Sequence, residues 1–175
     1  MSGRDEHREA AAELAAVTAA PEHRWTAFSE LYALEHRRML RVAVLLVGSV
    51  DVAQDIVQDS FVRVYRRWDS IRDPNGYLYR VVVNSCRSHH RRRARERRLQ
   101  QRVDASADRP VVSLGADEMA DALAALPYRQ RAALVLRFYD DKSEAETADL
   151  LGCRPGTVGS LVHRGLAQLK KVTES

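Results

Sequence analysis

The sequence predicts an all-α protein of two helical domains joined by a flexible linker, the second containing a helix-turn-helix. Three observations predict it. Apolar residues recur at helical spacing along the chain, and no stretch alternates as a strand would. The periodicity fails over residues 103–115, where Asp104, Ser106, Asp108, Pro110, Ser113 and Gly115 collect in linker composition. A chain of 175 residues also exceeds one small domain and suffices for two of roughly 60 to 80 residues each. The domains therefore fall at residues 23–102 and 116–175. Residues 1–22 form an alanine-rich N-terminal extension, helical in part or disordered, with no assigned function.

From Trp25 to Val47, Phe28, Leu31, Tyr32, Leu34, Met39, Leu40, Val42, Val44 and Leu45 fit one long helix or two abutting ones, ended by Gly48. A second helix starts at Asp51, with Gln54 in the capping-box position, and buries a stripe of Ile56, Val57, Phe61, Val64, Tyr65 and Trp68. Its opposite face carries Gln54, Asp55, Gln58 and Asp59, and the i, i+4 spacing stacks Asp55 beneath Asp59. Like charges so placed repel. They form either an ordinary solvated face favoured by the helix N-terminus or a docking face for a basic partner. Asp73-Pro74-Asn75-Gly76 is a turn signal, after which Tyr77 to Arg98 reads as a third helix, apolar at first and basic at its end.

Beyond the linker, Met119, Leu123 and Leu126 mark a short helix, and Pro127 opens another running through Leu134, Val135, Leu136, Phe138 and Tyr139. Asp140-Asp141-Lys142 reads as a tight polar turn. Ser143 and Glu146 then form a capping box, Ala145, Ala148, Leu150 and Leu151 bury a face, and Gly152 closes the helix. Pro155 opens the last helix. A helix, a short turn and a second helix make a helix-turn-helix, whose second helix enters the DNA major groove. Thr157, Ser160 and Arg164 step by three and four along one face of it, near His163, with Val158, Leu161 and Leu166 left for packing.

Charge narrows the function. The net charge of +4 conceals a segment from Arg87 to Arg102 with eight arginines against Glu96, a local +7 that leaves −3 for the rest. Such concentration is either a solvated helix end or one polyanion-binding surface, with nucleic acid the obvious polyanion. Other chemistries find little support. Cys86 and Cys153 stand far apart without a C-x-x-C pair, so they build neither a disulfide framework nor a four-ligand zinc site. Cys86 with His89 and His90 supplies half a zinc site, and Asp140-Asp141 has no basic or nucleophilic partner nearby in sequence. No catalytic residue, metal or cofactor is assigned. The apolar run Val42 to Val47 is too short to span a bilayer, and the N-terminus opens on Arg4, Asp5 and Glu6 rather than a signal peptide, so the chain reads as cytoplasmic.

Two blocks of residues carry a family resemblance. Pro127-Tyr128-Arg129-Gln130-Arg131, Leu136-Arg137, Ala148 to Cys153 and Gly156 to Ser160 closely resemble region 4 of the extracytoplasmic-function sigma factors, a group of the sigma-70 family. Asp51 to Phe61, Asp69 to Arg72 and Tyr77 to Arg93 resemble their region 2. The resemblance implies a factor that binds RNA polymerase core and directs promoter recognition, promoter opening and transcription initiation, without being an enzyme itself. By the same resemblance, Gln54, Asp55, Gln58 and Asp59 dock on the coiled coil of the beta-prime subunit, with the beta subunit as a further polymerase contact. The minus-10 element falls to Ile71, Arg72, Asn75, Tyr77, Arg80 and Asn84, with Arg87, Arg91, Arg92 and Arg93 on phosphates. The minus-35 element falls to Arg154, Thr157, Ser160, His163 and Arg164, the last three facing bases.

The resemblance also admits an anti-sigma factor as a partner. Tyr77 stands where the family usually has tryptophan and Ser88 where aspartate is common, while Gly159 and Leu161 replace basic or polar residues and remove expected DNA contacts. A stand-alone helix-turn-helix repressor or activator is the alternative, but no dimerisation helix is visible. Dependence on core polymerase separates the two readings.

Overall fold

A computed structural model describes the backbone of residues 3–100 and 118–173 and the side chains of residues 22–99 and 119–171. The predicted linker, residues 103–115, lies outside the described residues. Those described contain helices and no strand.

The first helix, α1, is continuous over Gly3–Val47, so the extension and the first apolar segment are one element. It stops at Gly48, whose φ of +74° is a conformation that L side chains rarely adopt. The next helix, α2 (Val50–Arg66), starts one residue earlier than predicted. Its N-cap is Ser49, whose hydroxyl accepts from the Val52 amide at 3.4 Å, in place of the Asp51–Gln54 box. After a short 3-10 turn, Trp68–Ser70, comes α3 (Pro74–Gln100). The Asp73-Pro74-Asn75-Gly76 signal is itself this helix's start. Pro74 takes the first position, and the Asp73 carboxylate accepts from the Gly76 amide at 2.9 Å. A Cβ on Gly76 would displace that carboxylate.

These three helices bury a common face. Met39, Val42 and Leu46 of α1 meet Val57, Phe61 and Val64 of α2 and Leu78, Val82, Val83 and Cys86 of α3. Phe28 adds an aromatic end, edge-on to Tyr65 and Trp68.

The second domain comprises α4 (Glu118–Ala124), α5 (Tyr128–Leu134) widening into a π turn over Val135–Tyr139, α6 (Glu144–Leu151) and α7 (Pro155–Thr173). The capping box at α6 is fully formed, with Ser143 Oγ accepting at 3.2 Å from Glu146 N and Glu146 returning the bond at 2.8 Å. Gly152 ends α6 at φ +59°. Two packing expectations are corrected. Ala145 is exposed, and α6 buries Thr147, Ala148 and Leu151. Leu166 is 46% exposed, because the inner side of α7 is Val158, Leu161 and Gly165, the last pressed so close to Leu134 that a side chain would not fit easily.

The two domains are packed together. One apolar core runs from Met39, Leu46 and Val83 into Tyr128, Ala132, Val135, Leu136 and Leu151. Polar contacts cross the same boundary. Arg38 Nε and Nη2 donate to the two Asp140 carboxylate oxygens at 2.8 and 3.0 Å, Arg87 donates to the Leu151 carbonyl at 3.3 Å, and His90 stacks on Tyr128 with ring centroids 4.7 Å apart.

Candidate nucleic-acid interface

The acidic side chains of α2 stand where the helical period puts them. Ala53, Val57, Ser60 and Phe61 face the core, and Gln54, Asp55, Gln58 and Asp59 are all exposed on the opposite side. Among the described residues no cation pairs with Asp55 or Asp59. Their mutual repulsion is therefore not offset by an ion pair among the described residues.

Between α2 and α3 runs a groove of about 870 Å³, lined on one side by Asp55 and Asp59 and on the other by Tyr77, Arg80, Asn84 and Arg92. The packing of α2 against α3 thus brings the acidic face and four of the residues predicted to meet the minus-10 element to one cleft. Asn84 is exposed there rather than buried as a structural amide would be. In the loop before α3, Ile71 packs on the core, Arg72 is free at the surface, and Asn75 Nδ2 donates to Glu35 at 3.2 Å.

Along the basic end of α3, Arg91 and Arg92 are exposed and Arg93 is half-buried, with Glu96 3.8 Å from Arg92. Arg87 differs from them, because its guanidinium faces the end of α6 instead of solvent. The arginines act on their neighbours. Burial and then the charges of Arg92 and Arg93 lower the His89 imidazole below its ordinary value, and burial and then Arg131 and Arg97 do the same to His90. Cys86 is fully buried, which pushes its thiol up to about 12. A thiol held protonated is a poor metal ligand.

On α7, Ser160, His163 and Arg164 are exposed and Thr157 is half-buried. Arg154 is exposed, and its carbonyl accepts from the Thr157 amide at 2.9 Å to begin the helix. Arg164 Nε donates to the Ser160 carbonyl at 3.1 Å, which lays the side chain along its own helix with both terminal nitrogens beyond it. Leu161 is only 5% exposed. It packs inward with Val158, as expected of the apolar side of α7.

The sequence reading missed the partner of Asp140. Asp140-Asp141-Lys142 is a tight polar turn in sequence, yet the Asp140 side chain is 3% exposed and paired with a guanidinium 102 residues away. No local signal marks such a pair.

Comparison with known proteins places these surfaces in context. Family models match at residues 31–96 for sigma-70 region 2 and residues 116–169 for sigma-70 region 4. The chain is 38% identical over 154 residues to the RNA polymerase sigma-E factor of Streptomyces avermitilis, covering 85% of this chain and 86% of that one. It is 34% identical over 170 residues to the ECF RNA polymerase sigma factor SigM of Mycobacterium tuberculosis, covering 95% and 86%. Among solved structures, the sigma factor RpoE from Bartonella quintana, in complex with the anti-sigma factor NepR, superposes with a TM-score of 0.68 at 26% identity over 85% of this chain and 97% of that one. A structure of CnrH in complex with the cytosolic domain of CnrY shares the fold, with a TM-score of 0.61 at 24% identity.

Proposed function

The chain belongs to the extracytoplasmic-function group of the sigma-70 family, and from that premise we propose which of its surfaces do the work. As a sigma factor it binds RNA polymerase core and directs promoter recognition, promoter opening and transcription initiation. Residues 23–102 form the core-binding and minus-10 domain, residues 116–175 the minus-35 domain, and residues 103–115 the linker between them. Gln54, Asp55, Gln58 and Asp59 dock on the beta-prime coiled coil. Asp55 and Asp59 support this reading best, since two exposed, stacked carboxylates without an ion pair among the described residues gain most from a basic partner.

On the far side of the same groove, Tyr77, Arg80 and Asn84 meet the minus-10 strand, with Ile71, Arg72 and Asn75 from the loop before α3 and Arg87, Arg91, Arg92 and Arg93 on phosphates. An exposed amide has donor and acceptor to offer an unpaired base edge, so Asn84 reads such a base. In the minus-35 domain, Arg154 and Thr157 lie at the start of α7, and Ser160, His163 and Arg164 face the base edges. The chain contributes specificity, while the polymerase performs the chemistry. Its work lies in the cytoplasm with the polymerase it serves. Among the described residues no helix is long and apolar enough to cross a membrane. The Bartonella relative is held by an anti-sigma factor, and a partner of that kind is proposed here too.

Asp55→Arg combined with Asp59→Arg tests the docking face. The expected result is loss of core polymerase in pull-down with an unchanged melting curve, since surface changes of this kind usually cost within about 0.5 kcal/mol. Retention of core polymerase by the folded variant would overturn the assignment.

A further inference from the structure

We propose that Glu144 is a specificity-determining residue of the promoter contact, a carboxylate carried by α6 that stands in for the side chain Gly159 lacks and accepts from the exocyclic amine of a cytosine. The inference rests on the reading of α7 as the helix that faces the minus-35 bases, and adds a reader from outside that helix.

The starting point is a glycine where a helix gains nothing from one. Glycine weakens a helix interior, yet α7 carries Gly156 and Gly159, both exposed, three residues apart on one side of its first two turns. A Cβ on Gly156 would meet nothing within 4 Å, whereas a Cβ on Gly159 would meet Glu144 Oε1 at 3.4 Å. That is about the reach of a short polar side chain on residue 159. The recognition helix lays its backbone bare there, and a carboxylate from the preceding helix fills the place.

The fold itself makes no use of this carboxylate. Glu144 is exposed, and among the described residues its side chain pairs with no cation. The cap of α6 is complete without it, because Ser143 and Glu146 bond each other. Lys142 lies 3.8 Å from Glu146 and so accompanies that residue instead.

The chemistry of the surface selects the base. A carboxylate offers acceptors only. Ser160, exposed beside Gly159, donates its hydroxyl hydrogen to the Gly156 carbonyl at 3.2 Å, so its oxygen also has only lone pairs left to offer. In the major groove guanine presents O6 and N7 and thymine presents O4, all acceptors that repel such a surface. Adenine sets the N7 acceptor beside its amine, and cytosine presents the N4 amine alone, which makes cytosine the preferred base. The open space at Gly156 lets a duplex approach the helix backbone closely, within reach of a carboxylate lying against it. Set against a phosphate, the same carboxylate would weaken all promoters alike and discriminate among none.

The test is run-off transcription by core polymerase with the full chain, from promoters substituted one base pair at a time across the minus-35 element. The wild-type chain is expected to favour cytosine at one position, and Glu144→Ala to reduce that preference about tenfold while leaving the other positions as they were. Glu144→Gln should move the preference from cytosine to adenine, since an amide offers adenine both a donor and an acceptor, and it decides if Glu144→Ala does not fold. Asp149→Ala, which removes another exposed charge from α6, should leave every preference unchanged. A uniform rise in transcription over the whole promoter set with Glu144→Ala would mean a carboxylate that only repels phosphate, and overturns the proposal. An unchanged cytosine preference overturns it as well. Arg164→Ala on the same promoters separates the two readings. If it flattens a preference while Glu144→Ala flattens none, α7 reads the element without Glu144. If no minus-35 substitution alters transcription by the wild-type chain, the reading of α7 fails and this inference fails with it.

Discussion

Arg164 shows how one side chain can be tested for reading rather than holding. Its Nε is tied to the Ser160 carbonyl, so the guanidinium is steered along the helix and its two terminal nitrogens remain for a guanine edge. Arg164→Ala is predicted to flatten the preference at a single minus-35 base pair by roughly 1 to 3 kcal/mol in transcription from base-substituted promoters. Arg164→Lys should not restore it, because lysine keeps the charge and loses the planar fork. Equal loss on every promoter variant would make Arg164 a phosphate anchor. The exposed residues around it were legible from the period of three and four, since Ser160, His163 and Arg164 all stand at the surface. Leu166 was not, because a stripe fixed by its neighbours alone leaves its centre uncertain by about one residue. The face of α5 settles it, with Leu134 closing over Gly165.

At the scale of elements, sequence signals with a local cause were the ones that could be read. The Ser143–Glu146 box, the positive φ of Gly152 and the proline at the start of α7 depend on residues within one turn, and each stands as expected. Where two signals overlapped, reading failed. Asp73-Pro74-Asn75-Gly76 is turn-like in composition, but the same residues cap and open a helix, so α3 starts at Pro74 rather than Tyr77. The box at α6 also bears on function, because it fixes the helix that precedes the recognition helix. Ser143→Ala removes the hydroxyl that accepts from Glu146 N and should cost about 1 kcal/mol. That corresponds to a fall of about 2 to 4 °C in melting temperature for a chain of 175 residues melting as one unit, measurable by circular dichroism. A melting point unchanged by Ser143→Ala would mean that the packing of Thr147, Ala148 and Leu151 alone holds the helix.

At the scale of the whole molecule, the sequence revealed two domains but not that they pack. Leu136 and Leu151 read as the core of their own domain, and nothing near them in sequence marks Met39 or Cys86 as neighbours. Asp140 and Arg38 are likewise ordinary until the fold joins them. The packing carries a pH dependence of definite sign. His90 is half-buried against Tyr128, and burial, followed by Arg131, Arg97 and His89, lowers its pKa from 6.5. The packed state therefore favours the neutral imidazole, while an opened chain takes up a proton near the ordinary value. Packing should be fully present above about pH 6.5 and weaken as the pH falls from there toward the lowered value. Scattering curves from pH 8 to 5.5 are predicted to show expansion at the acid end, reduced in His90→Phe. A molecule that works only with polymerase is checked by run-off transcription over genomic fragments. Core polymerase with the chain should give discrete transcripts that neither gives alone and that Asp55→Arg with Asp59→Arg abolishes. Sequence-specific DNA binding by the chain alone, with no transcript dependent on it in the presence of core polymerase, would contradict the account.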